Sequence, residues 1–182
     1  LSQSIFMLLA MAAASGLVWK MKMAFMVARA CAPIGASMTC VALLTGAIWG
    51  KPTWGTFWDW DARLTSTLVL LFLYVGIMAL QQAIADRQIA DRATAILSLV
   101  GLVNIPIIKY SVDWWHTLHQ PATFTLTAKP AMPAEMYLPL VLMVLGVYAL
   151  FGLLLLLRTR NEILVQESRA GWLLRLRQEG RA

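Results

Sequence analysis

Five runs of apolar residues, 1–19, 30–49, 65–80 (extending to 84), 93–108 and 136–157, constrain this chain more than any other feature. Crossing the hydrocarbon core of a bilayer takes about 17–25 predominantly apolar residues, and these runs approach that length. The fourth is the weakest, being short and interrupted by Asn104 and Pro106; the fifth is the clearest. Inside lipid no water is at hand to pair backbone N–H and C=O groups, so each run is expected to form an α-helix. Pro139 is expected in the first turn of the last helix, where a missing N–H costs least. Composition agrees: 60% of residues are hydrophobic and 13% charged, against about 45–50% and 25% for a soluble domain. One small globule cannot hide such a surplus. The fold class expected is all-α, a polytopic transmembrane helix bundle forming a single domain over residues 1–182.

A net charge of +6 would suit a nucleic-acid binder, but the charges do not form a basic stripe interleaved with polar surface. They fall between the apolar runs, where they orient a membrane protein. Alternate loops give one side Lys20, Lys22, Arg29, Arg87, Arg92, Arg158, Arg160, Arg169, Arg175, Arg177 and Arg181, and the other Lys51, Arg63, Lys109 and Lys129. Eleven against four, together the 15 Lys and Arg of the chain, makes the first side cytoplasmic. Segments 49–65 and 109–135 then face outward, which in a bacterium is the periplasm, across the inner membrane. The basic tail, 158–182, alternates arginines with Leu, Ile and Trp. It reads either as an amphipathic helix on the anionic surface or a partner subunit, or simply as a positive-inside tail. The chain opens at Leu1 inside an apolar run, without an initiator Met, a charged n-region or a small-residue cleavage site, and so reads as truncated. Cys31 and Cys40, nine positions apart in one apolar run, match neither CxxC nor CxxCH and read as small membrane-buried residues.

Six of the eight tryptophans, Trp49, Trp54, Trp58, Trp60, Trp114 and Trp115, belong to the two outward segments; Trp19 and Trp172 sit at the other face. An interfacial aromatic belt explains tryptophan at both faces, but not four within residues 49–60. A ligand platform is the alternative. If 54–63 is helical, Trp54, Trp58 and Asp61 share one face at i, i+4 and i+7. Asp59 and Arg63 then stand at i, i+4 in the favourable order, or form a solvated bridge of little worth. Such a flat indole surface suits a large planar ligand, with Lys51 or Arg63 available for carboxylates. The second segment carries the only two histidines, His116 and His119, beside Trp114 and Trp115. Either they are polar decoration or they ligate a metal or haem iron, with Asp113 placed to orient His116. Zinc is disfavoured, because two histidines without an outward cysteine or suitably spaced acid do not complete a tetrahedron.

Residues 49–65, WGKPTWGTFWDWDARLT, resemble the tryptophan-rich WWD signature WGxxWxWDxRLT of haem-handling proteins in cytochrome c biogenesis. Residues 114–120, WWHTLHQ, resemble the WWNTLHQ motif of the CcmC family, the haem exporters of system I cytochrome c maturation, and the flank LVLLFLYVG at 68–76 is similar too. The resemblance covers nearly the whole chain. It implies a six-helix protein, five of whose helices are visible here, that holds non-covalent haem b at its periplasmic face and passes it to the haem chaperone CcmE. It does so in concert with the ABC transporter subunits CcmA and CcmB and the small CcmD. Trp54, Trp58, Trp60, Asp61, Trp114 and Trp115 match the platform positions, and His119 matches an axial iron ligand. His116 stands where the family has Asn, either as a polar replacement or as a second, competing ligand. The other axial histidine of the family would precede Leu1.

No nucleophile–base pair or metal–carboxylate cluster is visible, so a haem-binding and transfer protein is expected rather than an enzyme. A cytochrome b-type respiratory subunit is one alternative, but it would hold haem by histidines inside the spans, and none lies there. A structural subunit of a transporter is the other.

Overall fold

The computed structural model describes residues 1–114 and 133–167. Among them are six α-helices and no strand: α1 Ser2–Trp19, α2 Lys22–Trp54, α3 Ala62–Ala83, α4 Arg87–Gly101, α5 Asn104–Trp114 and α6 Ala134–Gln166. They form five spans long and apolar enough to cross a membrane, α4 and α5 together supplying one of them, Arg87–Ser111.

Two helices outrun their apolar runs. α2 and α6 have 33 residues each, roughly 50 Å at 1.5 Å per residue, against a hydrocarbon core of about 30 Å. α2 therefore takes in Arg29 at one end and Lys51–Trp54 at the other, residues expected in loops. α6 begins at Ala134, which puts Pro139 in the second turn instead of the first. The fourth span breaks where its sequence is weakest. Pro106 has no N–H to offer the Leu102 carbonyl. The chain tightens there, with Val103 N–H bonding to Val100 O (3.2 Å) and Ile105 N–H taking up Leu102 O (3.0 Å), before α5 resumes with Pro106 in its first turn.

With lipid as apolar as leucine, packing rests on close approach and on hydrogen bonds between helices. Small residues are prominent among those α1 and α2 bury, including Ala10, Ala13, Ala28, Ala32 and Gly35. At Gly35 a Cβ would run into the Tyr74 ring, so only glycine admits that ring of α3. That ring is fully buried, edge-on to Phe6 at 5.2 Å, and its hydroxyl donates to Ser2 O (2.8 Å). The Asn104 amide donates to Ser66 O (2.8 Å), and Ser4 Oγ and Tyr148 OH are 2.9 Å apart, joining α1 to α6. Arg29 reaches across from α2 to α4, its guanidinium 2.7 Å from the Asp91 carboxylate. Of the two cysteines, Cys31 is fully buried between helices and Cys40 lies on the outer surface of α2, within its apolar span. α6 turns most of its leucines outward, as a lipid-facing helix must.

Candidate functional site

The tryptophan-rich segment sits where α2 turns into α3. Gly55 ends α2: it takes φ +80°, which side-chain-bearing residues rarely adopt, and its N–H closes onto Lys51 O at 3.0 Å. Asp61 starts α3 by accepting from Leu64 N at 2.7 Å, the N-cap role for which aspartate is among the best residues. Residues 55–61 are therefore a loop. The helix expected over 54–63 does not form, because a left-handed glycine and an N-cap interrupt it. The shared face of Trp54, Trp58 and Asp61 goes with it. Asp59 and Arg63 make no ion pair.

Among the described residues the indoles pack in edge-to-face pairs instead of one flat sheet. Trp49 and Trp54 have ring centroids 5.3 Å apart at 85°, and Trp58 and Trp60 5.6 Å apart at 74°. Trp54 folds back over its own helix, its ring 3.2 Å from where a Gly50 Cβ would be. Thr56 Oγ1 donates to Trp58 O (2.8 Å), pinning the loop around it. Lys51 Nζ donates to Gly55 O (3.0 Å) and stands 5.2 Å over the Phe57 ring, so this cation also braces the loop.

The result is an open aromatic surface. Trp60 is 75% exposed, Phe57 59% and Trp49 58%. Beneath it, Trp58 Nε1 is buried with no acceptor among the described residues. A buried donor without a partner costs free energy, so this N–H is suited to an acceptor that arrives with a ligand. Arg63, half-buried in the first turn of α3, has no acidic partner among the described residues. The arrangement offers apolar rings to a planar ligand, with a hydrogen-bond donor and two cations for its acidic groups. Phe57 and Trp49 were not singled out for the platform; the signal for both was their place in the aromatic run.

The second segment approaches the same end of the bundle. The Asn104–Ser66 bond sets the start of α5 level with the first turns of α3. From there α5 runs on through Lys109 to Trp114, on the side where α3 begins. Trp115, His116 and His119 lie outside the described residues.

The Heme exporter protein C family model matches residues 1–174. The chain belongs to that family. It is 54% identical to the Heme exporter protein C of Escherichia coli strain K12 over 172 residues, spanning 94% of this chain and 69% of that protein. Identity to the Haemophilus influenzae member is 46% over 177 residues, spanning 97% and 72%. For the Bradyrhizobium diazoefficiens member it is 47% over 170 residues, 93% of this chain and 65% of that one. Both tryptophan-rich segments lie within the matched region.

Proposed function

We propose that this chain holds haem at its tryptophan-rich end, on the periplasmic face of the inner membrane. From there it gives haem to the chaperone CcmE during cytochrome c maturation, working with CcmA, CcmB and CcmD. The observation that carries the reading is family membership over 174 residues, to which the loop geometry adds a surface suited to the cargo. Trp49, Phe57 and Trp60 offer exposed ring area to the porphyrin, while Trp58 Nε1, Arg63 and Lys51 offer donors to its propionates. His119 is the proposed axial iron ligand, Trp54, Trp114 and Trp115 complete the aromatic surround, and Asp61 holds the loop on α3. Haem b is held without a covalent bond, since neither cysteine belongs to a CxxCH motif. Exposure of the aromatic surface suits transfer: a cargo bound on open rings leaves by ligand exchange, without a packed core having to open.

The test is spectroscopic. Protein purified from membranes with haem supplied should show a low-spin haem spectrum, and His119→Ala should lose most of it or change its ligation. His116→Asn should leave haem occupancy nearly intact. An unchanged spectrum in His119→Ala refutes the ligand assignment, and a large loss in His116→Asn transfers it to His116.

A further inference from the structure

The far end of the bundle, away from the tryptophans, holds a cavity of about 780 Å³. It arises because the α1–α2 hairpin overshoots α4. Arg29 bonds to Asp91 and to Arg87 O, which sets the start of α4 level with the second turn of α2. Lys22 therefore stands roughly 10 Å farther out, at 1.5 Å per helical residue. The first turn of α4 and Val165 and Gln166 of α6 close the remaining sides. Four cations, Lys20, Lys22, Arg87 and Arg92, line this space, with Leu17 and Phe25 as apolar wall. Among the described lining residues Asp91 is the acid, and its carboxylate is already taken by Arg29.

Four like charges gathered around one space repel each other unless an anion enters. The first turn of α2 adds to the attraction, since no side chain caps its N-terminus and its leading N–H groups carry partial positive charge. Depth narrows the choice of anion. Trp19, 68% exposed at the end of the α1 span, is of the residue type that favours the lipid headgroup level, and Leu17 and Phe25 lie about one turn farther into the spans than Lys20 and Lys22. We propose that this cavity binds the phosphate of an anionic phospholipid from the adjoining leaflet, with its first acyl carbons against Leu17 and Phe25. The volume lies within the usual range for a small-ligand site, about 300–1,000 Å³.

The experiment uses the purified, delipidated membrane protein titrated with phosphatidylglycerol, phosphatidylcholine or inorganic phosphate, with adducts counted by native mass spectrometry. Phosphatidylglycerol should bind stoichiometrically and the other two weakly. Each cation near a membrane surface contributes about fivefold to the attraction of an anionic headgroup, so Arg87→Gln with Arg92→Gln should weaken binding about 25-fold. Gln88→Glu, at an exposed lining position, adds an opposing charge to the cavity and should weaken binding about fivefold. Arg158→Gln with Arg160→Gln removes the same charge from exposed α6 positions outside the cavity, and should change binding by less than about twofold if attraction is local. Equal losses in the two arginine pairs, undiminished binding in Gln88→Glu, or equal affinity for phosphatidylcholine overturns the proposal. Inorganic phosphate binding as tightly as phosphatidylglycerol would make the site one for a soluble anion, and overturns it too.

Discussion

Asp61 occupies two positions at once, as a residue of the tryptophan-rich motif and as the cap of α3, and substitution separates them. Its side chain is 7% exposed and accepts from Leu64 N at 2.7 Å. Losing an N-cap acceptor costs about 0.5–2 kcal/mol, and a negative charge at a helix N-terminus contributes about 0.3–1 kcal/mol. Asp61→Ala forfeits both, about 2 kcal/mol at mid-range. Asp61→Asn keeps an acceptor of equal capping rank and forfeits the charge at the helix N-terminus, about 0.5 kcal/mol. For a chain of this size each kcal/mol moves Tm by about 2–4 °C, so Ala should lower Tm by about 4–8 °C and Asn by about 1–2 °C. The assay is thermal unfolding in one detergent, followed by tryptophan fluorescence, with haem occupancy measured on the same samples. Equal destabilisation by Asn and Ala, or none by Ala, refutes the capping argument. If Asn keeps stability but loses haem, the carboxylate charge acts on the cargo as well.

Two further substitutions test the packing. Gly35→Ala drives a methyl into the Tyr74 ring, which is held at both edge and hydroxyl, and should cost about 1–3 kcal/mol as overpacking does. Gly46→Ala, with open space around it, should be neutral to mildly stabilising in the same denaturation series; equal behaviour of the two refutes the close approach. Asp91→Ala leaves Arg29, 10% exposed, without its acid, and should cost about 3 kcal/mol. The double replacement Arg29→Met with Asp91→Leu should cost less than that single one, because no buried charge remains. A double variant weaker than the single one refutes this.

Much of the site was legible because its residue types are expensive elsewhere. Exposed indoles crowded at one end of two spans have few purely structural uses, and the residues from Trp49 to Trp60 announce themselves by density. The conformation they adopt was not legible from spacing. An i, i+4, i+7 pattern at Trp54, Trp58 and Asp61 favours a helix, but Gly55 and Asp61 are stop and start signals within the same stretch, and the caps prevailed. Lys51 was legible as a cation for a ligand's carboxylates, but not as the brace it also makes with Gly55 O. The far cavity was not legible at all. Lys20, Lys22, Arg87 and Arg92 served as votes on orientation, and nothing in their order along the chain says that they share one space.

The tryptophan-rich end shows where the division falls. Sequence determined which segments are long and apolar enough to cross the membrane, and that residues 49–65 and 109–114 belong to the same end of the bundle. Lipid forbids unpaired backbone, and loops must alternate sides. Tertiary structure decided which atoms face which. A glycine that admits Tyr74 and four cations around one cavity depend on how the helices pack and how far each runs past its neighbours. That offset is set by contacts between residues distant in sequence, Arg29 with Asp91 and Ser66 with Asn104, which local pattern does not encode.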